Sequence, residues 1–298
     1  MTLVRGQVFA RFQKRRQVFM SISRHPAWND FVRSFNKIAA HRHRYEVFRD
    51  FVTMAAISMH NAIRKDPALE AEYMQIVKRY EADQVSEICA LFGKLILLLD
   101  FEPQDVLGQL YMALELGNTQ AGQFFTPPEI SELMARVSYG DELQDLTKPF
   151  ITLSEPACGA GGMVLAFVKV MLSHGHNPSK RLWVQCQDVD RTAALMCYLQ
   201  LSLWNVPAVV IVGNTLALEV REAFYTPAHY LGFWESRLRN HGRQETEEGD
   251  HANGAHDVKV RDDKPRLEKV SDLVTVDRPV SMTGVPSIEG LQQFDFGF

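Results

Sequence analysis

Pro149-Phe150-Ile151-Thr152-Leu153-Ser154-Glu155, followed by Pro156-Ala157-Cys158-Gly159-Ala160-Gly161-Gly162-Met163, decides the fold of this chain. The first seven residues are a short apolar strand that ends on an acid, Gly159 to Gly162 a glycine turn, and Met163 to His174 a helix. Leu182 to Asp188 repeats the strand pattern, Thr192 to Trp204 the helix, and Ala208 to Val212 forms a third strand closed by Gly213-Asn214. Strands alternating with helices at this spacing predict a parallel sheet with crossover helices.

The glycine turn is where chemistry is expected. Glycines let the backbone approach a ligand closely and adopt positive φ, and the amides opening the next helix lack partners within it. In an open parallel sheet, nucleotides bind beyond the carboxyl ends of the strands. Glu155 discriminates among such ligands, because a carboxylate there repels a phosphate and suits an ammonium group. A glycine turn serving only helix–strand packing would look the same. Asp188 ends the second strand, where an acid can grip a ribose diol. It lies 27 residues beyond Gly161, somewhat more than the usual ~20, and the His174–Arg181 loop accounts for the excess. Asp190 reads as an ordinary surface aspartate. Asn214 stands where an adenine edge could be read, although Asn beside Gly is also common turn chemistry.

Upstream lies Gly122-Gln123-Phe124-Phe125-Thr126-Pro127-Pro128-Glu129. Thr126 with Glu129 forms a capping box and Pro127 takes the first helical position, which leaves the two adjacent aromatics unexplained. From Trp28 to about Leu116 the apolar residues recur at three- and four-residue spacing, as in Phe31, Phe35 and Ile38. This stretch predicts helices only, interrupted at Asp66-Pro67 and stopped at Gly117-Asn118. Residues 240–270 are rich in charge, His and Gly and are expected to be a disordered linker. The chain therefore divides into a helical region (1–118), a cofactor-binding α/β region (119–239), the linker (240–270) and a tail (271–298).

A hydrophobic content of 46% with 23% charged residues is that of a globular protein. No apolar run reaches the ~20 residues of a membrane helix, and no apolar core follows the N-terminal basic residues to make a secretory signal. Cys89, Cys158, Cys186 and Cys197 show no CxxC pairing and no metal-ligand spacing. No metal is expected, and a reducing cytoplasm is the simplest home. The net charge is −4, yet residues 1–50 hold eleven Lys/Arg against three acids. Such a local surplus can hold phosphates, or it can be a solvated helical face.

Gly-Gln-Phe-Phe-Thr-Pro (122–127) followed by Glu-Pro-Ala-Cys-Gly-Ala-Gly-Gly-Met (155–163) resembles the modification subunits of type I restriction–modification systems and related adenine-N6 DNA methyltransferases. The resemblance covers roughly residues 105–216. It implies a Rossmann-like S-adenosylmethionine-dependent methyltransferase sheet, here reduced, preceded by an all-helical domain. It also implies S-adenosyl-L-methionine as cofactor, with Phe125 and Thr126 flanking it and Pro127 and Ala157 in the same two contact segments. By the same resemblance, Glu155 faces its methionine ammonium, Gly159 and Gly161 line its loop, Asp188 holds its ribose, and Asn214 takes the place of an acid that meets its adenine. DNA and a specificity or second methyltransferase subunit are the implied partners.

One departure stands out. Members of that family place an Asn-Pro-Pro-aromatic tetrapeptide after the fourth strand to receive the flipped adenine. Past Asn214 this chain has none, the nearest substitute being Tyr225-Thr226-Pro227-Ala228-His229-Tyr230, so no catalytic residue is assigned. Two functions remain open: an adenine methyltransferase with a divergent target site, or a cofactor-binding accessory module on DNA without turnover. Gln293-Phe294-Asp295-Phe296-Gly297-Phe298 resembles a peptide that docks on the replication sliding clamp, or is an alternating strand tucked against the core.

Overall fold

The computed structural model describes residues 22–116, 125–144 and 146–241. Five helices come first: α1 (Pro26–Ile38), α2 (Arg44–Asn61), α3 (Pro67–Val77), α4 (Ala82–Leu99) and α5 (Val106–Ala113). Their starts follow from local chemistry. Asp66 caps α3 by accepting from the Ala68 and Leu69 amides, with Pro67 at the first helical position. Glu81 and Gln84 form a capping box at α4. Helix α5 ends earlier than the Gly117-Asn118 stop predicts. Glu115 takes the left-handed backbone (φ 55°), and the Leu116 amide reaches back to the Tyr111 carbonyl, a closure that requires the left-handed residue there rather than at a glycine. Residues 117 and 118 lie outside the described residues.

Helix α6 (Pro128–Gln144) precedes the sheet. It begins one residue later than the capping-box reading predicts. The Pro127 carbonyl accepts from the Ser131 amide, which makes Pro127 the cap position and Pro128 the first helical residue. Then follow β1 (Ile151–Glu155), α7 (Gly162–Ser173), α8 (Pro178–Arg181), β2 (Leu182–Asp188), α9 (Arg191–Leu203), β3 (Ala208–Val212), β4 (Glu222–Tyr225) and α10 (Pro227–Leu231), with a further helical stretch over residues 234–241. The sheet order is β1-β2-β3-β4. The first three strands are parallel, Glu155 pairing with Cys186 and Asp188 with Val212. Strand β4 runs antiparallel on β3 and pairs Val209 with Tyr225. The three parallel strands bear out the α/β reading. The fourth is a short edge strand with only Phe224 buried, too brief for a period-two signal.

Helices and sheet share one core. Phe31, Phe35, Phe48 and Phe51 of the helical region belong to the same buried cluster as Val164, Cys186, Leu199 and Val210. Arg191, at the start of α9, bridges Glu72 of α3 and Glu222 of β4. A second, smaller cluster of Phe150, Trp183, Val209 and Trp234 forms at the opening end of the parallel strands.

Among the described residues, no helix is long and apolar enough to cross a membrane. Of the eleven basic residues in the first fifty, Arg5, Arg11, Lys14, Arg15 and Arg16 lie outside the described residues. Most of the others turn to partners within the chain. Lys37 pairs with Glu87 and Arg33 with Asp30. Arg42 lies over the Tyr80 ring, Arg44 bonds Asn36, and Arg49 reaches Asp50. This favours the solvated-face reading for that part of the surplus. The expected linker and the clamp-like peptide Gln293–Phe298 also lie outside the described residues.

Asp50 anchors the helical region. Its carboxylate is buried and accepts from Arg79 and from the Tyr80 hydroxyl at 3.0 Å. Burial, then the Asp50 charge, pushes the Tyr80 pKa upward. Replacing Asp50 with Ala strands both donors, and we expect a loss of about 2 kcal/mol, read as a lower midpoint in urea unfolding without a change of slope.

Candidate functional site

The loop from Pro156 to Gly161 joins β1 to α7 and is held from four directions. The Ala157 amide donates to Glu155 Oε1 at 3.2 Å, and the Gly159 amide donates to Asp188 Oδ2 at 2.8 Å. The Cys158 amide donates to the Gln187 carbonyl at 2.9 Å. The Thr215 hydroxyl donates to the Pro156 carbonyl at 2.6 Å. Two glycines are required here. Gly159 has φ 52°, and a Cβ on it would meet the Phe125 ring at 3.2 Å. Gly161 has φ 92° and caps α7, and a Cβ on it would meet Cys197 Sγ at 3.0 Å.

Glu155 and Asp188 therefore flank one loop at the tips of neighbouring strands. Glu155 is buried, and its pKa is pushed up to about 7, by burial first, then by the neighbouring Cys186 and Asp188. Burial also raises the Asp188 pKa. No ion pair joins either carboxylate to a Lys or Arg among the described residues. Asp188 uses its two oxygens on the Gly159 and Asp190 amides, and each oxygen keeps a lone pair for a further donor. Two desolvated carboxylates with backbone partners alone constitute a site that a cationic, hydroxyl-bearing ligand stabilises.

Phe125 packs on this loop from the other side. It stands edge-on to Tyr111 at 5.5 Å, and Tyr111 stands edge-on to Phe48 at 5.6 Å, so an aromatic chain runs from the helical core to the loop. This explains one of the two adjacent aromatics; Phe124, with Gly122 and Gln123, lies outside the described residues. Thr126 and Pro127 follow Phe125 directly into α6. Asp190, read from the sequence as an ordinary surface aspartate, is half-buried and caps α9 by accepting from the Thr192 and Ala193 amides. Asn214 behaves largely as turn chemistry, because its Oδ1 accepts from the Leu216 and Ala217 amides. Only its amide nitrogen remains as a donor toward a ligand. The Tyr225–Tyr230 segment lies away from the cofactor loop. The Thr226 hydroxyl donates to the Val206 carbonyl and accepts from the Ala208 amide, which places it at the start of β3, opposite to the cofactor loop. The reason is the antiparallel direction of β4.

Two positioning residues carry no motif. Gln200, in the middle of α9 and fully buried, donates to the Ala160 carbonyl at 2.8 Å and to Asp105 Oδ1 at 2.9 Å. Its own Oε1 accepts from the Val106 and Leu107 amides. Asp105 also accepts from the Gly108 amide, and burial raises its pKa. The only signal for this clamp is a glutamine inside an otherwise apolar helix. Cys158, Cys186 and Cys197, buried on loop, strand and helix, bring their sulfurs within 4.8 Å of one another. Spacing in the sequence could not show this, because the three lie on different elements.

The fold and site are those of an α/β module with two desolvated acids at the tips of neighbouring parallel strands. Residues 103–230 match the model of the N-6 DNA Methylase family. The methylase subunit of the type I restriction enzyme MpnII from Mycoplasma pneumoniae is 28% identical over 131 residues, 41% of this chain and 22% of that protein. The chain thus matches about a fifth of that relative's length. Among solved structures, one described as a class I S-adenosylmethionine-dependent methyltransferase from Listeria monocytogenes is 16% identical, with a TM-score of 0.33, covering 61% of this chain and 51% of that one. Residues 103–230 are thus similar to the N-6 DNA Methylase family. That similarity points to S-adenosyl-L-methionine as cofactor, and the desolvated carboxylates and glycine-lined loop fit its charge and its hydroxyls.

Two measurements check the geometry. Gln200→Leu leaves the Leu107 amide and the Ala160 carbonyl without partners and removes one donor from Asp105, and we expect a loss of about 3 kcal/mol in urea unfolding. Glu155 is raised in the folded chain, so its contribution to stability is complete below the ordinary glutamate range and is lost as pH rises through about 7. Glu155→Gln should remove that slope from a series of melts between pH 4 and pH 8.

Proposed function

We propose that this chain is the S-adenosylmethionine-binding module of an adenine-N6 DNA methyltransferase system, and that it lacks the groups that receive the target base. The observation that carries the cofactor reading is the pair of buried acids, Glu155 and Asp188, bordering one loop with no cationic side chain opposite them among the described residues. In this reading Glu155 holds the methionine ammonium, Asp188 the ribose hydroxyls, and the amides and left-handed glycines of the loop let the backbone approach the sulfonium nucleoside. Phe125, Thr126, Pro127 and Ala157 line the entrance, and the Asn214 amide nitrogen meets the adenine. When bound, the cofactor supplies an electrophilic methyl group. The residues described here bind and orient it, and none of them accepts a hydrogen bond from an adenine amino group.

The accessory reading is favoured by a specific observation. The sequence past Asn214 has no Asn-Pro-Pro-aromatic tetrapeptide, and the Tyr225–Tyr230 segment lies at the wrong end of the sheet. Methyl transfer to DNA then requires a target-base site supplied from outside these residues. The surface of α6 supports a partner as its source, since Ile130, Leu133 and Val137 lie exposed along one stripe, Val137 at 78%. Among the described residues no strand pairs with β1 on the side away from β2. The partner is a methyltransferase or specificity subunit whose strands extend the sheet at β1, with DNA as the shared substrate in a reducing cytoplasm.

Calorimetric titration with S-adenosylmethionine is expected to give a 1:1 complex that weakens at least tenfold in Glu155→Ala and in Asp188→Ala. Equal affinity in wild type and both variants removes the cofactor reading. Incubation with methyl-labelled cofactor and unmethylated plasmid is expected to leave adenine unlabelled. Label incorporated by the chain alone overturns the accessory reading.

A further inference from the structure

The three buried thiols beneath the cofactor loop are not used by the function proposed above. Cys158 belongs to the loop itself, Cys186 pairs with Glu155 across β1 and β2, and Cys197 lies under Gly161 on α9. All three are buried, and their sulfurs lie within 4.8 Å of one another. We propose that Cys158, Cys186 and Cys197 form a trigonal thiolate site for one soft monovalent cation of the Cu(I) type, and that its occupancy locks the cofactor loop.

The donor set selects the ion. Three sulfurs without an imidazole or carboxylate in the set favour a soft cation over a hard one. Burial excludes water from a fourth position, so three-coordination suits the site better than the tetrahedral geometry of structural zinc. Metal–sulfur bonds of about 2.3 Å in a plane place the sulfurs about 4.0 Å apart. The cluster therefore closes by less than about 1 Å on binding. Each thiol releases one proton to solvent and forms one sulfur–metal bond, with no change of oxidation state, so uptake strengthens as pH rises. The amino end of α7 stands over the cluster through Gly161 and favours its negative charge. The alternative is that three small thiols merely fill space; alanine fills nearly the same space and binds no metal.

The consequence for the cofactor rests on the proposed function, whereas the metal site does not. Drawing Cys158 toward Cys186 and Cys197 shifts the loop between Glu155 and Gly159, which holds the amides and the glycine that approach the ligand.

The test uses the full chain with the exposed Cys89 replaced, Cys89→Ser, titrated without oxygen with Cu(I) carried by a competing chromophoric chelator. One equivalent taken from the chelator, with a near-ultraviolet thiolate-to-copper band, is expected. Cys186→Ala and Cys158→Ala should each lose the band and the stoichiometric uptake, and two positions guard against one variant failing to fold. No uptake by the parent, or equal uptake by both variants, overturns the site. Copper-loaded protein is expected to bind S-adenosylmethionine at least tenfold more weakly than copper-free protein. Cofactor binding unchanged by stoichiometric copper overturns the lock. Copper uptake in a protein that binds no cofactor in either form overturns the cofactor reading and leaves the metal site standing.

Discussion

A glutamine amide ties the glycine loop to the helical region. Gln200 reaches from the middle of α9 to the Ala160 carbonyl, to Asp105 and to the first amides of α5. A buried polar group is stable only when its bonds are satisfied, so these partners must remain where they are. The turn between β1 and α7 is thereby held in a left-handed backbone at Gly159 and Gly161, against a helix that belongs to the amino-terminal region. The helical region thus helps to hold this loop, as the aromatic chain from Phe48 through Tyr111 to Phe125 also shows.

The electrostatics of the loop follow from that placement. Strand tips carry Glu155 and Asp188 into a desolvated rim where backbone amides are their partners. Without an opposing side-chain cation, burial raises both pKa values. Charge elsewhere is handled differently. Asp50 lies beside Arg79 and Arg49, and Arg191 spans Glu72 and Glu222, so those charges hold elements together. The contrast between paired and unpaired acids is what marks the loop as a place for a ligand.

The sheet is organised around the same loop. Two parallel crossovers carry β1 to β2 and β2 to β3, and the chain then turns back along β3 as β4. That reversal takes Tyr225 to Tyr230 away from the carboxyl ends of the parallel strands. The carboxyl ends of the parallel strands therefore carry the glycine loop and its two acids, while the apolar stripe of α6 faces outward.

Much of this was legible in the residues themselves. An apolar run ending on an acid, followed by three glycines in four residues, specifies a strand, a turn and a helix through backbone sterics alone. Local rules likewise place the starts of α3, α4 and α9, because each cap bonds to amides two or three residues away. The family resemblance also rested on contiguous segments and is shared by residues 103–230. Contacts between distant segments were decided by tertiary structure. Gln200 and Asp105 meet across two elements, the three cysteines converge from a loop, a strand and a helix, and β4 is stable as an edge strand because β3 offers it hydrogen bonds. Short-range sequence pattern encodes backbone conformation and amphipathic faces, whereas the meeting of side chains far apart in the chain depends on how those faces pack.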